Sequence, residues 1–163
     1  MDFSTAYDVA WEKENYSFLI IALAFCFIGL SLIYFTYKKR SLQNIIFNIG
    51  LGFISFSLIG IFVVIFFQLG PLYKAKKLVA NREYKIVEGT VDNYQPMPYE
   101  GHANEKFDVA GIHFEFSDYD INVGYHNSAS HGGVIKAGRY VRITYSTVSA
   151  KLTILKLEIQ NGK

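Results

Sequence analysis

Two long stretches without a single charge constrain this chain more than any other feature. "SFLIIALAFCFIGLSLIYFTY" runs from Ser17 to Tyr37, and a second uncharged run extends from Ser41 to Tyr73. At 1.5 Å of rise per residue, about 20 apolar residues cover the ~30 Å hydrocarbon core of a bilayer, so each run is long enough to cross one. Only "KKRSLQN", residues 38–44, joins them. A link that short forces an antiparallel hairpin with both chain ends on one side. The leader "MDFSTAYDVAWEKEN" is acidic and no A-x-A-like cleavage site follows the first run, so the pattern is that of a retained helix rather than a signal peptide. The second run exceeds one crossing and is expected to tilt or project.

The chain therefore divides into an acidic leader (1–16), a first transmembrane helix (17–37), a basic loop (38–44), a second transmembrane helix (45–70), a basic juxtamembrane segment (71–83) and a β domain (84–163). Within the hairpin, Ala22, Cys26 and Gly29 fall at i, i+4, i+7, as do Asn48, Gly52 and Ser55. Small residues let helix backbones approach in lipid and Asn48 can hydrogen-bond across, so these two stripes are the expected contact face. The same stripes could instead form a dimer seam or line a small oligomeric pore. Neither run carries Asp, Glu, Lys, Arg or His, which disfavours a proton or ion path.

Charge bears on orientation. From Met1 to Lys85 there are nine Lys/Arg against five Asp/Glu, and from Ile86 onward seven against nine. The acidic leader followed by "KKR" favours a cytoplasmic loop and an extracytoplasmic C-terminal domain; the basic stretch "YKAKKLVANREYK" favours the reverse. The first helix usually dominates, and the expectation is a multi-pass protein of the bacterial inner (plasma) membrane with its β domain outside the cytoplasm. Pro71 suits the first turn of a short interfacial helix against lipid headgroups. A mildly acidic C-terminal half disfavours nucleic acid as a partner. The single cysteine, Cys26, allows no disulfide within the chain.

Beyond Tyr84 the texture becomes that of strands. "YKIVEGTVDNY", "FDVAGIHFEFS", "YDINVGY", "RYVRITY" and "LTILKLEI" give five candidates, the second placing Ile112, Phe114 and Phe116 on one face and His113, Glu115 and Ser117 on the other. With glycines at 89, 111 and 124, these suit a strongly coiled sheet. The expected fold is α+β: a two-helix transmembrane hairpin followed by a five-stranded, OB-like β-barrel, with an open antiparallel meander or small sandwich as the alternative.

The succession "EGTV" (88–91), "FDVAGIHFEFSD" (107–118), a Gly/Ser loop and "AGRYVRITY" (137–145) resembles a widespread group of uncharacterised bacterial membrane proteins. In that group a Gly-x-Val strand opens a small β domain and a Gly-x-x-Val-x-Ile/Val-x-Tyr strand lies near its end. Gly89 and Val91, then Gly138, Val141, Ile143 and Tyr145, occupy the matching positions. The C-terminal half is also generally similar to the OB-like domains of membrane-anchored NfeD-type proteins. The resemblance implies a fold and an anchor, and no reaction.

All four histidines, His102, His113, His126 and His131, lie in one stretch with Glu100, Glu105, Asp108, Glu115, Asp118 and Asp120. Imidazole and carboxylate are ligands for zinc and other transition metals, and His113, Glu115, His126 and His131 are the set a metal-binding sensor or metal-dependent enzyme would use. None stands at a known metal-motif spacing, and no cofactor is expected. "NSASHGG", 127–133, puts serines beside a histidine but lacks the Gly-x-Ser-x-Gly frame of a nucleophile elbow; its glycines fit a loop. "NYQPMPYEGHANEKF", 93–107, is stiffened by Pro96 and Pro98 and rich in recognition side chains. The expectation is thus a non-enzymatic protein that binds or scaffolds an envelope component, or self-associates. Tyr94, Met97, Tyr99, His102, Tyr125, His126, Asn127 and His131 are the candidate contacts.

Overall fold

The computed structural model describes residues 2–38, 43–100, 103–119 and 123–161. It comprises two compact units, Glu14–Gly70 and the pair of segments Met1–Lys13 and Pro71–Lys163.

The first unit is a helical hairpin. Helix α1 spans Ser17–Lys38 and α2 spans Gln43–Val63. A π-helical stretch, Val64–Leu69, follows α2 and leads directly into α3, Gly70–Ala80. Two stretches, Ser17–Tyr37 and Ile45–Ala80, are long and apolar enough to cross a membrane. The hairpin closes on glycine: a Cβ on Gly29 would lie 2.7 Å from the Gly50 carbonyl oxygen, and one on Gly50 would lie 2.9 Å from that of Gly29. The Ser57 hydroxyl donates to the Ala22 carbonyl at 2.6 Å, and Phe25 stacks on Phe53 at 5.6 Å. Ala22 and Gly29 are buried and Cys26 is half-buried, as the α1 stripe predicts, whereas Asn48, Gly52 and Ser55 face outward. An i, i+4, i+7 spacing marks a stripe but does not rank parallel stripes. The one through Gly50 and Ser57 prevails because only there does glycine on α2 meet glycine on α1.

The second unit holds a six-stranded antiparallel sheet: β1 (Phe3–Asp8), β2 (Lys85–Gln95), β3 (Glu105–Val109), β4 (Ile112–Phe116), β5 (Tyr140–Val148) and β6 (Lys151–Gln160), in the order β1-β6-β5-β2-β3-β4. This corrects the expected five-stranded barrel in three ways. The sheet is open, with β1 and β4 at its edges. The leader is no separate segment: its residues form β1, paired with β6, and a 3₁₀ turn, Val9–Trp11. "FDVAGIHFEFS" is two strands, because Val109 pairs with Ile112 across the two-residue turn Ala110–Gly111, both at positive φ. Such a turn matches the twist of the strands it joins. The expected strand at 119–125 forms no strand among the described residues; Tyr125 donates its N–H to Ile154 at 3.1 Å.

The sheet curls around an aromatic core. Phe107 stacks on Phe114 at 5.3 Å, and Phe114 meets the edge of Tyr145, three strands across, at 5.5 Å. Gly89 lies opposite Val141 on the β2–β5 ladder. A second cluster joins Leu72 and Ala75 of α3 to Val9, Val148 and Leu155. Helix α3 thus turns its apolar side into the β domain. The helix ends on a Schellman arrangement: Glu83 N–H bonds the Leu78 carbonyl at 2.8 Å and Arg82 N–H that of Val79 at 3.1 Å, with Arg82 at φ 60°.

Candidate functional site

Burial alternates along β3, and Glu105 falls in the buried phase with Phe107 and Val109. A fully buried carboxylate needs partners, and Glu105 finds them on two loops. Its Oε2 accepts the Ala129 N–H at 2.8 Å and the Met97 N–H at 3.5 Å. Desolvation raises its pKa, against the pull of those two N–H groups. Its second oxygen, Oε1, and the Tyr94 hydroxyl are both buried without a hydrogen bond among the described residues. Burial, then the charge of Glu105, pushes the Tyr94 phenol up to about 12. One carboxylate therefore ties the 96–104 loop to the 128–131 turn.

Asp118 anchors the second half of the knot. Its Oδ1 accepts the Ser128 N–H at 2.5 Å; its Oδ2 accepts the Ser128 hydroxyl and contacts His131 Nδ1. Desolvation raises its pKa, but the Ser128 hydroxyl and N–H and the His131 ring together outweigh it and hold Asp118 below the usual carboxylate range. The glycines complete the turn. Gly132 has φ +88°, and a Cβ on Gly133 would lie 2.2 Å from the Asn127 carbonyl oxygen. Serine, histidine and aspartate do meet here, but not as a catalytic relay. A relay links Asp to one imidazole nitrogen and Ser to the other. In this knot Ser128 and His131 both turn to Asp118, His131 through Nδ1, and Ser128 is fully buried.

The candidate contacts separate into two tiers. Met97 and Tyr125 are buried beneath the loops, the Tyr125 hydroxyl accepting the Val134 N–H at 3.0 Å. Tyr94 is half-buried. Above them Tyr99 is 81% exposed and stacks on His131 with centroids 6.3 Å apart; Tyr119 is 68% exposed. His126 and Asn127 are exposed, His126 holding the Gly124 carbonyl through Nδ1 at 2.6 Å. His102 lies outside the described residues. The four candidate metal ligands each have a different partner. His113 is 2.7 Å from Asp108, Glu115 accepts from Asn104 and faces Lys106, and His126 and His131 are engaged as above. No group of three or more His, Cys, Asp or Glu side chains arranged for a metal occurs among the described residues. Glu105 and Ser128 fall inside the two stretches expected to make contacts, 96–105 and 125–133, whereas Asp118 and Tyr119 fall outside them; the one signal for the buried brace is a glutamate in the core phase of a strand.

A concavity lies on the face of the sheet opposite the aromatic core. It is a groove of about 570 Å³ bordered by Tyr84 and Ile86, with the ladder Glu88–Arg142–Glu158 on its floor. Its charges are paired with one another: Arg142 Nε is 2.8 Å from Glu88, and Lys156 is 3.0 Å from Glu158. Comparison of the chain with family models, with curated proteins and with solved structures finds no match.

Proposed function

We propose that this chain is a non-enzymatic integral membrane protein whose β domain, held outside the cytoplasm, presents its paired loops to another component of the bacterial envelope. The observation that carries this reading is the buried Glu105–Asp118 knot. Polar groups that a small domain buries at a cost are used here to fix two loops, and above them stand exposed Tyr99, Tyr119 and His131. Aromatic side chains pre-positioned on rigid loops suit recognition, because little ordering entropy is left to lose on binding. Anchorage is supported by α1 and α2, whose outward side chains include Phe18, Ile20, Phe27, Phe56 and Phe62, all more than half exposed in the hairpin. Water tolerates such a surface poorly.

Site-specific photocrosslinking in intact cells tests the reading. A photoreactive residue at position 99 or 119 is expected to give a discrete adduct with a protein of the membrane fraction. The same residue at Ser4 or Lys136, exposed positions away from the knot, is expected to give none. Equal adducts at all four positions, or none at 99 and 119, would discard the loop surface as the contact.

A further inference from the structure

Helix α3 turns Leu72 and Ala75 inward, and the opposite side carries exposed Tyr73, Lys74 and Lys77. Residues three and four apart share a helix face, so Tyr73 and Lys74 both neighbour Lys77. Neither ammonium has an ion pair or hydrogen bond among the described residues. The position along the chain is specific. The apolar π-helical stretch ends at Leu69. At 1.5 Å per residue, Lys74 and Lys77 lie roughly 8 and 12 Å of helix beyond it, at or just past the depth of the headgroup layer.

We infer that this face of α3 holds the headgroups of anionic phospholipids in the membrane that the hairpin crosses. The inference rests on the anchorage proposed above. An ammonium is a compact donor of three hydrogen bonds to phosphate oxygens, and a tyrosine beside it suits the amphipathic interface. With the apolar side of α3 packed on the β domain, the basic side is the one left for lipid. The preference is therefore electrostatic rather than the insertion of an amphipathic helix.

Trp11, the only tryptophan, supplies the probe. It is exposed and belongs to the same 3₁₀ turn as Val9, which packs with Leu72 and Ala75. The full chain is reconstituted in vesicles of phosphatidylcholine mixed with brominated phosphatidylglycerol or brominated phosphatidylcholine, and quenching of Trp11 gives the relative association of the two lipids. Phosphatidylglycerol is expected to be favoured about fivefold or more at low salt, since each lysine contributes roughly that factor near an anionic surface. The preference shrinks toward one at high salt. Lys74→Gln/Lys77→Gln is expected to lose more than half of it, and Lys74→Arg/Lys77→Arg to keep it. A ratio near one in the unchanged chain, a preference that the glutamine variant retains within twofold, or no quenching by either lipid overturns the inference. Vesicle flotation after an alkaline carbonate wash is run beside it. A chain that the wash strips off fails as an anchored protein, a different result from an anchored chain without headgroup preference.

Discussion

A carboxylate at Glu105 occupies a place that strand alternation reserves for an apolar side chain, and the consequences are set by its protonation. Its pKa is raised in the fold, so the folded state binds a proton that the unfolded chain releases. Its contribution to stability is then fully present below the ordinary carboxylate value and is lost as pH rises through the raised one. Asp118 has the opposite sign: its lowered pKa gives stability that is present above about pH 4 and lost as pH falls further. As pH falls toward the ordinary carboxylate range, stability in urea unfolding should therefore rise. Glu105→Gln should abolish that part of the change, and a variant whose stability tracks pH there as steeply as the parent would refute the assignment. The knot also ranks its members. Ser128→Ala removes a fully buried hydroxyl from the half-buried Asp118 and should cost about 1–2 kcal/mol, whereas His131→Ala removes a half-exposed partner and should cost under about 1 kcal/mol. Equal losses in denaturant unfolding would contradict this hierarchy. Sequence alone displays Ser128 and His131 side by side, but their shared partner Asp118 lies ten residues from Ser128 and is brought in by the fold. Proximity in sequence therefore shows a loop without a nucleophile's frame, and only space adds the brace.

Elements show the same division between pattern and context. The α1 stripe is readable because its small residues are the only ones on that helix at the right spacing, while α2 carries two such stripes and only contact with Gly29 selects between them. Gly29→Ala should force the helices apart and cost about 1–3 kcal/mol. Gly52→Ala, with nothing within 4 Å, should be neutral or gain up to about 1 kcal/mol of helix propensity. Cys26 sits on the contact face and reports on it: thermal exposure of its thiol to a fluorogenic maleimide in detergent should shift down for the first variant and not for the second. The β5–β6 hairpin offers a test in the other direction. Val148 pairs with Lys151 across Ser149 and Ala150, which stand at φ 51° and 65°. Both residues bear a side chain that disfavours that region, by roughly 1 kcal/mol or more each. Ser149→Asn/Ala150→Gly should stabilise the domain by about 1–2 kcal/mol in urea unfolding; an unchanged midpoint would mean the turn carries no strain. Only one such turn is hidden from the strand count. Ala110–Gly111 is a hairpin turn, yet an alanine and a lone glycine inside an alternating run read as strand, and only the backbone angle reveals the reversal.

At the scale of the whole molecule, the decisive contact joins the two ends of the chain. Strand β1 pairs with β6, Phe3 opposite Gln160 and Asp8 opposite Lys156, so the β domain is built from both sides of the hairpin and the hairpin is an insertion within it. No local pattern announces this: "FSTAYD" is six residues of moderate β propensity, and its partner lies some 150 positions away. Edge pairing of that kind is paid in loop-closure entropy, and a hairpin that crossed a membrane twice would return the chain to its starting side. Connectivity then makes a topological prediction that no charge count supplies. With Cys26 changed to Ser, a cysteine at Ser4 and one at Asn127, both exposed, must lie on the same side of the membrane. A membrane-impermeant maleimide should label both in intact cells, or neither until lysis. Joint labelling in intact cells places the loop surface in the envelope space; joint protection moves its partner to the cytosol and leaves the β1–β6 pairing intact. Labelling of one position alone would separate β1 from β6 by a bilayer and refute the fold itself, because the strand that completes the sheet could not reach it.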